Sequence, residues 1–176
     1  DRQWAAMMVG DESYAGASSY YKLKEAIADI AGFSYFLPTH QGRAAEHLLY
    51  GNIGGPGKVF ISNTHFDTTR ANIEYSGATA IDIAIEEAHQ PEVYHPFKGD
   101  MDLIKLRNEI EKNGAENIGA VILTVTNNSG GGQPVSMQNA KDISLICKEY
   151  GVLFILDSCR IAENAYVIKD REEAYK

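Results

Sequence analysis

The spacing of apolar residues changes several times along this chain, and each change predicts an element. Leu23, Ile27 and Ile30 recur at helical spacing in a segment from about Ser18 or Ser19 to Ile30, and Gly32 is a natural stop. Phe33 to Leu37 is a short strand-like run. After Pro38, "THQGRAAEHLLY" predicts a turn opening a helix, with Thr39 as a candidate cap. "KVFIS" (58–62) and "ATAIDIAI" (78–85) predict strands, with a turn or helix over "HFDTTRANIEYSG" between them. "GDMDLIKLRNEIEKNG" predicts a helix with Asp100 as cap and Leu103, Leu106 and Ile110 on one face. A strand at 118–125, a helix over 137–149 starting at Ser136, a strand at 152–157 and a charged helix complete the pattern.

Strands alternating with amphipathic helices imply βαβ units. The fold class is therefore α/β, a three-layer arrangement with a mainly parallel sheet flanked by helices. Strands 118–125 and 152–157 are apolar throughout, as central parallel strands are. Ligands of such sheets bind outside the carboxyl ends of the strands. Here those ends carry "TNNSGGGQ" and "DSCR".

Composition narrows the partners. The chain has 176 residues, 44% of them hydrophobic, enough for the core of one domain. A net charge of −8 argues against nucleic acid or an anionic membrane as partner. No apolar run approaches the roughly 20 residues of a membrane span, and no signal-peptide pattern opens the chain. Cys147 and Cys159 lie in apolar segments without metal-type spacing, which suits reduced thiols in a cytoplasmic protein. The chain opens on Asp1-Arg2-Gln3-Trp4 without methionine and closes inside a charged helical pattern, so it is expected to be a segment of a longer protein.

Several residues carry candidate chemistry, each beside a plainer role. Asp157 ends a parallel strand, where a carboxylate can hold a metal, accept a proton, pair with a cationic ring nitrogen, or cap the next helix. Arg160 could neutralise Asp157 or hold an anionic oxygen of a ligand. Asn128 can donate one hydrogen bond and accept another, or simply serve the turn. Gly42 at a helix start offers N–H groups and dipole to a phosphate, with Arg43 adding charge; an ordinary left-handed turn is the alternative. Phe66 could stack on a flat ring or belong to the core. Glu12 with Asp11 could hold a cation or form a solvated turn. None of the five histidines has metal-ligand spacing, and no GxSxG, Walker A or GxGxxG sequence occurs.

Together these residues describe a flat, anionic, phosphate-bearing heteroaromatic ligand, which is what pyridoxal phosphate is. The chain also resembles the β-eliminating lyases, whose branches are tryptophanase and tyrosine phenol-lyase. The matching stretches are "MMVGDESYAG", "PTHQGRAAE", "FDTTR", "FKGDMDL", "TNNSGGGQPVSM" and "LDSCRIAENAYVIK", which cover nearly the whole chain in order. The resemblance implies the large cofactor-binding domain of a fold-type I pyridoxal-phosphate enzyme, present in part over residues 1–176.

The resemblance also implies roles. Gln41, Gly42 and Arg43 would form the phosphate-binding turn, and Phe66 would stack on the pyridine ring. Asn128 and Arg160 would meet the ring hydroxyl, and Asp157 the ring nitrogen, with the triple glycine leaving space for Asn128. Tyr14 matches the general acid for the leaving group, and Glu12 a ligand of an activating monovalent cation, usually potassium. Asp67, after the stacking Phe, resembles tryptophanase, while "TTR" and "QWAAMM" lean toward tyrosine phenol-lyase. The substrate would be a small aromatic L-amino acid, and the assembly a homotetramer with shared sites.

A lysine in a Ser-x-Lys-Lys-like stretch should follow Asp157 and form the Schiff base, and none appears before Lys176. The small domain is absent likewise, so this segment alone is expected to be inactive, with at most weak noncovalent cofactor binding. Another fold-type I enzyme, such as an aminotransferase or cysteine-conjugate lyase, would share the ring-binding Asp and Asn. A noncatalytic truncated relative would keep the fold without the lysine.

Overall fold

Period-two alternation organises the sheet of the computed structural model, which describes residues 1–10 and 16–176. Strands β1 (Val59–Ser62), β2 (Thr79–Asp82), β3 (Ile118–Thr124) and β4 (Phe154–Asp157) pair in parallel in the order β2-β1-β3-β4. On one face, Val59, Ile61, Val121 and Leu123 join Leu106 and Ile110 of helix α5 (Leu103–Asn113) and Ile143, Ile146 and Cys147 of α6 (Met137–Tyr150). On the other, Phe60, Ala120 and Ile122 meet Tyr50 of α3 (Gly42–Ile53) and Ile73 of α4 (Asp67–Tyr75). The architecture is the three-layer parallel α/β arrangement expected from sequence. Here α1 (Arg2–Met8), α2 (Ser18–Ala31) and α7 (Ile161–Arg171) complete the helices longer than a 3-10 turn among the described residues.

A register shift between Val59 and Phe60 opposite Ile118–Ala120 reverses the parity of β3. That is why Ile118, an even position, shares a core with Val121. At the shift, Gly119 lies against the Phe60 ring with no room for a Cβ.

The chain divides into two units, Asp1–His40 and Gln41–Lys176. In the first, α2 ends where expected, with Gly32 in the left-handed conformation (φ 71°). None of its described residues is buried, and the run 33–37 forms no strand. Helix α1, which the apolar pattern did not announce, precedes α2.

In the second unit, several boundaries differ from expectation. Strand 78–85 stops at Asp82, and Ala84 instead bridges Met101 in antiparallel fashion. Asp102, not Asp100, caps α5, accepting from the N–H groups of Ile104 and Lys105 at 3.0 and 2.9 Å. The N-cap of α3 is Gln41, not Thr39. Strand β4 lies at the sheet edge, so its apolar residues are only partly covered and Leu156 is exposed. Ser136 does cap α6, accepting from Asn139 N–H at 3.1 Å.

Candidate functional site

From β1 the chain passes to β2 on one side, then crosses over to β3 on the other, so a switch point lies between β1 and β3. A cavity of about 640 Å³ opens at the carboxyl ends of the strands, where such sheets bind ligands. Its wall comes from the start of α3, the segment after β1, and the turns after β3 and β4. Gln41, Gly42, Arg43, Phe66, Asn128, Asp157 and Arg160, all singled out from sequence, lie on it.

At the start of α3, the N–H groups of Ala44 and Ala45 bond the Gln41 carbonyl at 3.1 and 3.3 Å. Those of Gly42 and Arg43 come before the first intrahelical donor, which suits them to an anion. Gly42 is not left-handed; it is the first helical residue, and a Cβ there would meet nothing within 4 Å.

Asp157 ends β4 in the cavity wall, half-buried. Burial raises its pKa above the ordinary carboxylate range, against the Cys159 N–H, which donates to it, while the Glu46 carboxylate pushes the same way as burial. The buried Thr124 hydroxyl lies near enough to oppose the rise but completes no hydrogen bond. Asp157 does not occupy the cap of α7; that position is Arg160. Nor do these two form an ion pair; the Arg160 guanidinium donates to the Thr126 carbonyl at 3.4 Å. A carboxylate so placed is suited to a cationic partner brought by a ligand.

After β3, the two asparagines divide the work. Asn127 is buried, donates from its amide to the Thr64 carbonyl, and accepts from Ser129 N–H at 2.8 Å. Asn128 is exposed on the cavity wall. Gly131 and Gly132 take left-handed φ values of 75° and 68° and fold the loop back, with Gly132 N–H on the Asn127 carbonyl at 2.8 Å. The triple glycine lies off the cavity wall and serves the turn.

Phe66 is the N-cap of α4 and partly exposed to the cavity, not a core residue. Just before it, His65 donates its backbone N–H to Asp82 Oδ1 at 2.8 Å, and its Nδ1 lies 2.6 Å from the same oxygen. Arg70 reaches Asp82 Oδ2 at 2.5 Å. Burial would raise the Asp82 pKa, but the His65 hydrogen bonds and the Arg70 charge leave it lowered. Just after Phe66, Thr68 and Thr69 donate their hydroxyls to the Glu46 carboxylate at 2.6 and 2.5 Å.

Asp67 is exposed, accepts from Thr68 N–H at 2.6 Å, and is not on the cavity wall. Tyr14 and Glu12 lie outside the described residues. Sequence reasoning passed over Glu46 and Tyr50, which also line the cavity. Their spacing from Gly42, four and eight residues, places them on one face of α3 and could have revealed them. Tyr50 is buried with its ring edge-on to Phe60, and burial, Glu46 and Asp157 together push its pKa up.

A model of the family described as Beta-eliminating lyase matches residues 1–175. The chain belongs to the β-eliminating lyase family. It is similar to the tryptophanase of Salinibacter ruber (strain DSM 13855 / M31), 52% identical over 173 residues, covering 98% of this chain and 36% of that protein. It is also similar to the tyrosine phenol-lyase of Symbiobacterium sp. (strain SC-1), 47% identical over all 176 residues and 38% of that protein. The chain thus spans well under half the length of these lyases. Among solved structures, the PLP-bound C–S lyase from Staphylococcus hominis superposes with a TM-score of 0.62 at 19% identity, covering 88% of this chain and 39% of that one. This likeness establishes the shared fold of a family member and a C–S lyase.

Proposed function

We propose that the full-length protein is a pyridoxal-phosphate-dependent carbon–carbon lyase that eliminates the side chain of an aromatic L-amino acid, tryptophan ahead of tyrosine, releasing pyruvate and ammonia. The observation carrying this reading is one cavity wall that combines a helix start suited to an anion, an aromatic ring and a half-buried carboxylate. That donor set fits the cofactor. The N–H groups of Gly42 and Arg43, with the Gln41 turn and the Arg43 charge, would hold its phosphate. Phe66 would cover its ring, Asn128 and Arg160 would hold the ring oxygen, and Asp157 would accept the hydrogen bond of the protonated ring nitrogen. When bound, pyridoxal phosphate supplies an electron sink for a carbanion at the substrate α-carbon.

Tyr14 would protonate the leaving aromatic group, and Asp67 would assist an indole. Glu12 would bind a potassium ion. The preference for tryptophan rests on the resemblance at Asp67, which lies exposed and off the cavity wall. The protein would work in the cytoplasm as a homotetramer. In the unit Asp1–His40, Trp4, Met8, Ile30, Phe33 and Tyr35 are all exposed and no described residue is buried, an apolar surface that the rest of the full-length chain or a second subunit would cover.

The test is turnover by the full-length protein loaded with pyridoxal phosphate. Indole and pyruvate from L-tryptophan are expected. Phenol from L-tyrosine alone would reassign the substrate, and a cofactor-loaded protein inert toward both would overturn the lyase assignment.

A further inference from the structure

Glu46 belongs to none of the roles given so far, yet it touches both halves of the cavity. It stands on α3, one turn past the phosphate-binding start, and lines the same cavity as Asp157. Each of its carboxylate oxygens takes a separate hydroxyl, Oε2 from Thr68 and Oε1 from Thr69. Those threonines are the second and third residues of α4, whose N-cap is Phe66. Thr69 is buried, so one of the two bonds is shielded from solvent. On the other flank of Phe66, His65 is fixed to Asp82. The backbone on either side of the aromatic ring is therefore anchored to a carboxylate from a neighbouring element.

Resting on the pyridoxal-phosphate reading, we infer that Glu46 is a positioning residue, tying the helix that receives the phosphate to the turn that carries the stacking Phe66. The phosphate and the ring of one ligand are a fixed distance apart, so their two binding elements must keep register with one another. A carboxylate that accepts from two adjacent hydroxyls fixes both translation and twist between α3 and α4, which a single bond would not. Ionised Glu46 is acceptor-only, and this suits two hydroxyl donors. Replacement by glutamine puts an NH₂ group where one hydroxyl must be accepted from, and that arm of the clamp is lost.

The test uses the full-length protein and pyridoxal phosphate as probe, reading the dissociation constant and the visible circular dichroism of the bound cofactor. The dichroism reports how the protein holds the ring and does not depend on turnover. Glu46→Gln and the double variant Thr68→Val with Thr69→Val are each expected to weaken cofactor binding on the order of tenfold, the loss of one hydrogen bond to a charged group. Both are expected to diminish the dichroic band, and Thr68→Ser with Thr69→Ser, which keeps the hydroxyls, is expected to restore it. Variants with lower melting temperatures but wild-type affinity and dichroism would overturn the inference and leave Glu46 a stabilising residue only. If Glu46→Gln does not fold, the threonine pairs decide by the same two readings. A wild-type protein that binds no cofactor would instead overturn the proposed function, a result separate from either variant's behaviour.

Discussion

Asn63 and Thr124 exchange two hydrogen bonds across the sheet, the Asn63 amide donating to the Thr124 carbonyl at 3.1 Å and accepting from its N–H at 3.0 Å. The same amide donates to the Gly99 carbonyl at 2.8 Å. A side chain here continues the β1–β3 ladder beyond Ser62 and carries the chain out toward His65 and Phe66. Asn139 does the same for Met101, and Asn164 for Val135, each accepting from the N–H and donating to the carbonyl of its partner.

Asn63 is 2% exposed, so Asn63→Ala strands the Thr124 N–H and carbonyl without replacement partners. A loss of about 2–4 kcal/mol in unfolding free energy is expected, measured by urea denaturation of the full-length protein. A loss below about 0.5 kcal/mol, the scale of an ordinary surface change, would show that the ladder closes without it.

Gly119 faces the wholly buried Phe60 ring at the β1–β3 register shift. Gly119→Ala should cost about 1–3 kcal/mol through overpacking. Phe60→Leu removes the obstructing ring, so the double variant should lose less than the sum of the two single changes, and strict additivity would contradict the contact.

Asp100 accepts from Ser136 N–H at 2.7 Å and from its hydroxyl at 2.8 Å. Burial nevertheless pushes its pKa from 3.8 up to about 6, with Ser136 and His95 opposing and Glu172 reinforcing the rise. Between these two values the folded protein binds more proton than the unfolded chain, so stability falls as pH rises through that window and levels off above it. Comparing Asp100→Asn with wild type over this range isolates the effect. The wild type should show the downward slope and the variant should lose that part of it; parallel curves would contradict the raised pKa.

Cys147 sits in the core, and burial pushes its thiol up to about 12. Cys159 is exposed on the cavity wall, with its thiol raised more modestly by burial and by Asp157. A thiol reagent at neutral pH should therefore label Cys159 and spare Cys147 in the native protein, and bound pyridoxal phosphate should slow the labelling. Mass spectrometry of the labelled peptides checks both points, and early labelling at Cys147 would contradict the packing.

What could be read in advance followed from local rules. Gly32, Ser136 and the apolar run of β3 act through backbone conformation, capping and continuous burial, and all three fall where the pattern put them. The cavity wall was legible because parallel strand ends and a helix start are marked by residue type, as at Asp157 and Gly42. What was hidden depends on neighbours distant in sequence. β4 has the sequence of a central strand and stands last in the four strands of a chain that spans well under half the length of its relatives, because what pairs with a strand is not encoded in its own composition. Asp100 and Asp102 are equivalent candidates for a cap until Ser136, 36 residues away, engages the first of them. Asn127 and Asn128 are equally adjacent to the strand end, and only the Thr64 carbonyl decides which turns inward. Glu46 is an ordinary helix residue until α4 brings its threonines.

The most direct test of the proposed function is titration of the full-length protein with pyridoxal phosphate, followed by visible absorption, for wild type and for Asp157→Asn. The wild type should develop a saturable band, and the variant should bind more weakly on the order of a hundredfold, since asparagine removes the charge proposed to face the ring nitrogen. Equal binding by both would place the cofactor away from Asp157, and no band in the wild type would mean that the cavity serves a different ligand.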